Sequence, residues 1–321
     1  MSRLLDWLYL NLDSAKASID RGVAVRIQNV ADYFWQGTSQ EYWDLSDFPN
    51  CTPPWRNFFT RWQLPAFANS EGTIKSFGET AGRDVVTFVN AFELNKPEHN
   101  ARWYLDLSTY VMDPVPHDHN IIVACHQSHF ATADGAAIIA DELNPATRAT
   151  VDRLHEIARL PPLTYATGSI NTLISAIHTE TGEMERITQL HEAAESWANA
   201  LTTYNKITLL AISFCHCRKQ VEVVREPTPD KLLKKQRKTG RHAPVASWHS
   251  LKIGPIQKIL TEVRKSKGGI SLQQALHLVR GHFKTYTEAK PLLGRAVGTF
   301  FWHQQLRGSK EAGTRDKDYE V

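Results

Sequence analysis

Asp84-Val85-Val86-Thr87-Phe88-Val89 and Arg102-Trp103-Tyr104-Leu105-Asp106-Leu107, separated by Asn95-Lys96-Pro97, decide the fold class. β-Branched and aromatic residues dominate both stretches, and a polar, proline-containing link between two such runs reads as the turn of a long hairpin. Asn57-Phe58-Phe59-Thr60-Arg61-Trp62 adds a strand bounded by Pro53-Pro54 and Pro65, and Ile121-Ile122-Val123-Ala124-Cys125 adds another. Residues 50–142 are therefore expected to form a mostly antiparallel sheet. Ahead of it, Leu4, Leu5, Leu8, Leu10 and Leu12 fall near helical spacing, which predicts one helix over about 1–20.

Past Pro145 the pattern becomes helical. Ala146 to Arg159 opens after Asn144-Pro145 and ends before Pro161-Pro162. A longer helix is expected from about Glu183 to Cys215, where Ile187, Leu190, Ala194, Trp197, Leu201, Ile207 and Leu210 recur at three- or four-residue steps; such a stripe reads as core, not as a cofactor box. The expected class is α+β: a mainly β region with an N-terminal helix (1–142), a helical region (143–217), a basic arm (218–244), a small basic α+β module (245–310) and a tail (311–321).

Charge separates these parts. The chain has 321 residues and a formal net charge of +3. Residues 218–310 hold 20 Lys or Arg against Glu222, Glu226, Asp230, Glu262 and Glu288, whereas residues 1–217 hold 15 against 25 acidic side chains. A net +15 in one third, beside −10 in residues 1–217 and −2 in residues 311–321, marks a part that meets a polyanion. The densest segment is Lys231-Leu232-Leu233-Lys234-Lys235-Gln236-Arg237-Lys238-Thr239-Gly240-Arg241, which Gly240 and Pro244 mark as a surface loop or arm. Beyond it, Ser247 to Ile253, Ala275 to Tyr286 and Gly298 to Gly308 read as strands, Pro255 to Val263 as a short helix, and Ser309 to Val321 as a mobile tail.

As a single strand, His277 to Tyr286 would put Arg280, His282, Lys284 and Tyr286 on one face. Fixed cations, a group titrating near neutrality and a phenol suit a phosphodiester. The same inventory, with His303 as a further acid or base and Arg307 as a further cation, would serve metal-independent RNA cleavage, in which Arg280, His282, Lys284 and His303 are the catalytic candidates. Binding and catalysis use the same residue types here. Lys231, Lys234, Lys235, Arg237, Lys238 and Arg241 are candidate backbone contacts, and Trp248, Tyr286 and Trp302 are candidate stacking groups on exposed bases.

Several classes are excluded or left unsupported. There is no phosphate loop, no G-x-S-x-G and no dinucleotide fingerprint, so no cofactor is expected. His117, His119, Cys125, His126 and His129 lie close in sequence, as do Cys215, His216 and Cys217, but neither group has convincing zinc spacing, and no metal is expected. No apolar run approaches the roughly 20 residues needed to cross a bilayer, and four irregularly spaced cysteines suit a reducing cytoplasm.

Cys217-Arg218-Lys219-Gln220-Val221, the Lys/Arg run to Gly240, His249-Ser250-Leu251-Lys252-Ile253, His277 to Tyr286, Gly294, Gly298-Thr299-Phe300-Phe301-Trp302-His303 and Arg307-Gly308 resemble the C-terminal half of an uncharacterised family of tailed-bacteriophage and prophage proteins. Thr52-Pro53-Pro54-Trp55 with Phe58-Phe59 resembles that family's N-terminal segment. The likeness covers about 218–308 well and 50–65 loosely. Related chains often carry a longer Trp-Trp-x-x-His run where this one has Trp302-His303. The resemblance implies a viral or mobile-element origin and residence in a host cytoplasm, not a reaction. The expected function is nucleic-acid binding through the basic module, with RNA or single strands favoured. The alternatives are an endoribonuclease with chemistry of the RelE kind and a phage factor docking an acidic host protein.

Overall fold

The computed structural model describes residues 3–36, 47–64, 83–94, 96, 98–112, 122–133, 136–139, 144–158, 173–176, 204–217, 219–254, 275–279, 281–302, 305–307 and 309–314. The first half comprises α1 (Arg3–Asn11), α2 (Asp13–Arg21), β1 (Val23–Arg26), α3 (Gln28–Gln36), β2 (Asn57–Gln63), β3 (Asp84–Glu93), β4 (Trp103–Met112), β5 (Ile122–Ala133), β6 (Ala136–Ile139) and α4 (Pro145–Ala158). Then follow β7 (Leu173–Ala176), a helical segment at 204–215 (α5), β8 (Val221–Pro227), α6 (Asp230–Thr239), β9 (Ser247–Ile253), β10 (Ala275–Val279), β11 (His282–Tyr286), β12 (Gly298–Trp302), β13 (Gln305–Arg307) and β14 (Ser309–Thr314). The class is α+β.

The hairpin that opened the reading is present, with β3 and β4 antiparallel from Val85 opposite Val111 to Glu93 opposite Trp103. It sits inside an open sheet of order β6-β5-β4-β3-β2-β1-β9-β8, with β7 pairing β5. The pairs from β2 to β6 are antiparallel, but β1 runs parallel to both β2 and β9. Parallel neighbours need a crossover, and α3 lies in the one that joins β1 to β2. The sheet therefore runs across the boundary expected at 244/245: β9, read as part of a separate basic module, pairs with a strand from residues 23–26.

Both faces of the sheet are covered. Leu4, Leu5 and Leu8 of α1 and Ala15 and Ile19 of α2 bury against Ala24, Phe59, Val86, Phe88 and Trp248. The single helix expected over 1–20 is two helices, because Leu12 adopts an extended backbone (φ −127, ψ 112) and Asp13 opens a second helix with a carboxylate in its first turn. On the other face, α3 and α5 bury Val30, Phe34, Ile207, Leu210 and Phe214 against Val25, Phe58, Trp62, Val89 and Leu107. Of the helix expected from Glu183, only 204–215 lies within the described residues.

The α5 face also carries a polar row. Thr60 and Thr208 join through their hydroxyls at 3.1 Å, and Thr87 and Thr109 at 2.8 Å; Thr109 donates to Asn205, whose amide donates to Ser128 at 2.6 Å. Buried polar groups that satisfy one another fix a helix's position on a sheet more specifically than apolar contact does.

The C-terminal strands differ from expectation. His277 to Tyr286 is not one strand: β10 pairs with β13 and β14, whereas β11, among the described residues, pairs with β12 alone. Gly298 to Gly308 likewise divides into β12 and β13, and Ser309–Thr314, expected as mobile tail, forms β14 alongside β10. The expected helix at Pro255 to Val263 lies outside the described residues. The β11–β12 hairpin docks through Gln220, which is 5% exposed: its amide accepts from the Phe301 N–H at 2.7 Å and donates to the Phe301 carbonyl at 2.9 Å. Phe283 and Phe301 then stack edge-on against Phe214 of α5 at 5.2 and 4.8 Å.

Candidate nucleic-acid interface

The basic run at 231–241 is not a loop. Asp230–Thr239 is α6, and Gly240, read from sequence as a loop signal, is its left-handed C-cap (φ 61), whose N–H closes onto the Gln236 carbonyl. Asp230 in the first turn and Arg237 and Lys238 in the last complement the helix dipole. Helical spacing sorts the side chains. Lys231, Lys234, Lys235 and Lys238 stand at i, i+3, i+4 and i+7 and all are exposed, while Gln236, on the opposite side, is 6% exposed. Over seven residues the lysine stripe is about 10 Å long. Arg237 and Arg241 are exposed beside it.

The helix is held at both ends. At its start, Thr228 donates its hydroxyl to the Val245 carbonyl at 2.7 Å and its N–H to the Ala246 carbonyl at 3.0 Å. Just past its end, Asp6 of α1 accepts from the Ala243 N–H at 2.8 Å and lies 3.0 Å from His242 Nδ1. The acidic N-terminal part thus pins the basic segment by its end and leaves the stripe open. Other cations on this edge of the sheet are engaged: Arg26 pairs with Glu226 at 3.2 Å, and Arg225 donates to the Ser247 hydroxyl at 3.1 Å.

The stripe carries an energetic signature. Like charges at i, i+3 and i, i+4 each destabilise a helix by about 0.2–0.5 kcal/mol. The pairs 231/234, 231/235, 234/238 and 235/238 together cost about 1–2 kcal/mol, a cost that a bound polyanion removes.

The expected catalytic face is only partly brought together. Arg280 and His303 lie outside the described residues. His282, Lys284 and Tyr286 do share one face of β11, with His282 opposite Trp302 and Lys284 opposite Phe300. That face is not open cleft. Phe300 is buried there with Leu292 and Ala296, Tyr286 and Trp302 pack against them half-buried, and Lys284 Nζ sits 5.2 Å over the Tyr286 ring. Arg307 occupies the position opposite His277 on β13.

Trp248 is not a stacking group. It is 8% exposed, with Phe59 edge-on at 5.7 Å and the Arg26 guanidinium 4.8 Å from its ring. β9 is an inner strand in which Trp248 and Leu251, on opposite faces, are both buried, so its alternation does not tell a covered face from an open one.

Among the described residues no group of three or more His, Cys, Asp or Glu side chains is arranged to hold a metal ion. His117 and His119 lie outside them, and β5 places Cys125, His126 and His129 at positions opposite Tyr110, Thr109 and Asp106. His216 Nε2 lies 2.8 Å from the Thr52 carbonyl, and the Cys217 thiol reaches the Ser213 carbonyl at 3.8 Å. Burial pushes the Cys51, Cys215 and Cys217 thiols up to about 12, which suits packing groups and not nucleophiles.

No helix among the described residues is long and apolar enough to cross a membrane. Comparison with protein-family models, with curated proteins and with solved structures gives no match.

Proposed function

We propose that this chain is a nucleic-acid-binding protein of tailed-phage or prophage origin, working in the host cytoplasm and engaging the sugar–phosphate backbone through its basic third. The observation that carries the reading is the exposed lysine stripe of α6. Four ammonium groups on one side of a capped, end-anchored helix form a preorganised row of point charges, which suits phosphates and reads no sequence. The mutual repulsion within the row gives a polyanion a further reason to bind.

RNA or single strands are the favoured ligands, through Tyr286 and Trp302 at the edge of the β11–β12 hairpin; Trp248 takes no part. The test is a fluorescence-anisotropy titration of labelled single-stranded RNA and DNA with wild type and with the variant Lys231→Ala, Lys234→Ala, Lys235→Ala, Lys238→Ala. Alanine preserves helix propensity, so the fold is retained. Wild-type binding that the variant loses by a factor of 100 or more, on the order expected when several phosphate contacts are removed at moderate salt, supports the reading. Equal binding by the two proteins refutes it.

A further inference from the structure

Between β11 and β12 the chain does not make a simple turn. Residues 287–297 fold into a small second hairpin, with Thr287 bridged to Lys290 and Leu292 to Ala296. Leu292 exchanges both backbone hydrogen bonds with Ala296, at 2.7 and 3.1 Å. Leu292 and Ala296 are 5% and 6% exposed and close over Phe300, so the tip is anchored to the hairpin beneath it.

The neighbouring residue has the opposite fate. Leu293 is 49% exposed and has φ 51, the positive-φ residue other than glycine among those described. A left-handed backbone costs leucine free energy that glycine at the same place does not lose, and Gly294 with φ 74 follows it directly. Turn chemistry alone would place Gly or Asn here. Instead a large apolar side chain is exposed in the tip, as is Val297 at 37%, and Lys290 and Arg295, three residues before it and two after it, are exposed, as is Glu288.

We infer that the 287–297 tip is a further base-contacting element of this protein, with Leu293 packing on the face of an unstacked base while Lys290 and Arg295 hold the adjacent phosphates. The inference rests on the nucleic-acid reading above and adds which part of the ligand is touched, and by what. Base faces are free in single strands, but in a duplex they are reached only by unstacking. The contact therefore favours single strands and supplies the discrimination that the α6 lysines cannot.

The test uses Leu293→Gly, Leu293→Asn and Leu293→Met in the full chain, with a single-stranded oligonucleotide longer than a site of about 16 nucleotides and a duplex of the same length. Glycine and asparagine both tolerate the left-handed backbone. The expected result is opposite in sign for stability and binding. Leu293→Gly raises the melting temperature, yet it and Leu293→Asn weaken single-strand binding about tenfold, leave the dependence on salt unchanged and lower the preference over duplex. Leu293→Met keeps the affinity. Wild-type affinity and strand preference in Leu293→Gly would overturn the inference while leaving the α6 reading intact. Absence of wild-type binding to either oligonucleotide would overturn both.

Discussion

Removing the Gln220 side chain should release the C-terminal hairpin from the rest of the protein. The amide makes two hydrogen bonds to the Phe301 backbone, at 2.7 and 2.9 Å, in a site where Gln220 is 5% and Phe301 3% exposed. It behaves as one rung of a β-ladder supplied by a side chain. In Gln220→Ala both bonds are lost and the buried Phe301 N–H and carbonyl lose these partners; each such group costs about 1–3 kcal/mol, and water entering the vacated space recovers part of that. The net destabilisation is about 2–4 kcal/mol. Two readouts check it: urea unfolding for the total, and amide hydrogen exchange at Phe301 for the location. The Phe301 amide should lose protection ahead of β3 and β4. The backbone bond from the Gly254 N–H to the Gln220 carbonyl survives the substitution, so the β9 end stays in place. A change below about 0.5 kcal/mol, the usual range for substitutions away from any buried feature, with Phe301 protection intact, would refute the assignment of Gln220 as the link.

Further consequences follow from the buried groups. Asp106 is 1% exposed, and burial raises its carboxyl to about 6 against 3.8, with the Asn90 amide opposing the shift. Its contribution to stability is fully present below 3.8 and is lost as pH rises through about 6. That span corresponds to about 3 kcal/mol, so Asp106→Asn should be more stable than wild type at pH 8 and should flatten the stability profile between the two values. Lower stability of Asp106→Asn at pH 8 would contradict this. With thiols raised to about 12, Cys51, Cys215 and Cys217 should stay unmodified by iodoacetamide in the folded protein at pH 8 and react after denaturation, as mass spectrometry of peptides would show. Trp248→Ala should cost about 3–5 kcal/mol as a core truncation; an unchanged melting temperature with weakened RNA binding would restore Trp248 as a surface group.

What the sequence disclosed follows from how local each feature is. The hairpin of β3 and β4 was legible because two long β-rich runs flank one turn signal, and α4 because Asn144-Pro145 and Pro161-Pro162 bracket it. β1 has four residues, too few for periodicity to register, yet its parallel pairing to β2 and β9 organises the sheet and draws β8 and β9 into it. The basic helix reads as a loop from sequence because Gly240 and Pro244 are loop signals as well as helix-end signals. The i, i+3, i+4, i+7 lysines with a glycine just past the last of them were signal enough for a helix and its cap. Trp248 reads as a surface aromatic from sequence because period two assigns a face but not whether that face is covered. β10 ends at Val279 and β11 begins at His282, and the two have different partners, which a single run of alternating residues does not disclose. Leu293 is silent in the sequence for a different reason: no pattern in the chain marks a positive φ at leucine, and only the backbone reveals it.

The central claim is that a row of four lysines on α6 meets phosphates. The most direct measurement is the slope of log binding constant against log salt concentration for wild type and for the series that replaces Lys231, Lys234, Lys235 and Lys238 by alanine one at a time. Single-stranded ligands release about 0.7 counterion per phosphate neutralised, so the wild-type slope should be about −3 or steeper and should flatten by about 0.7 with each lysine removed. A flat wild-type line, or a slope that the four replacements leave unchanged, would contradict the account.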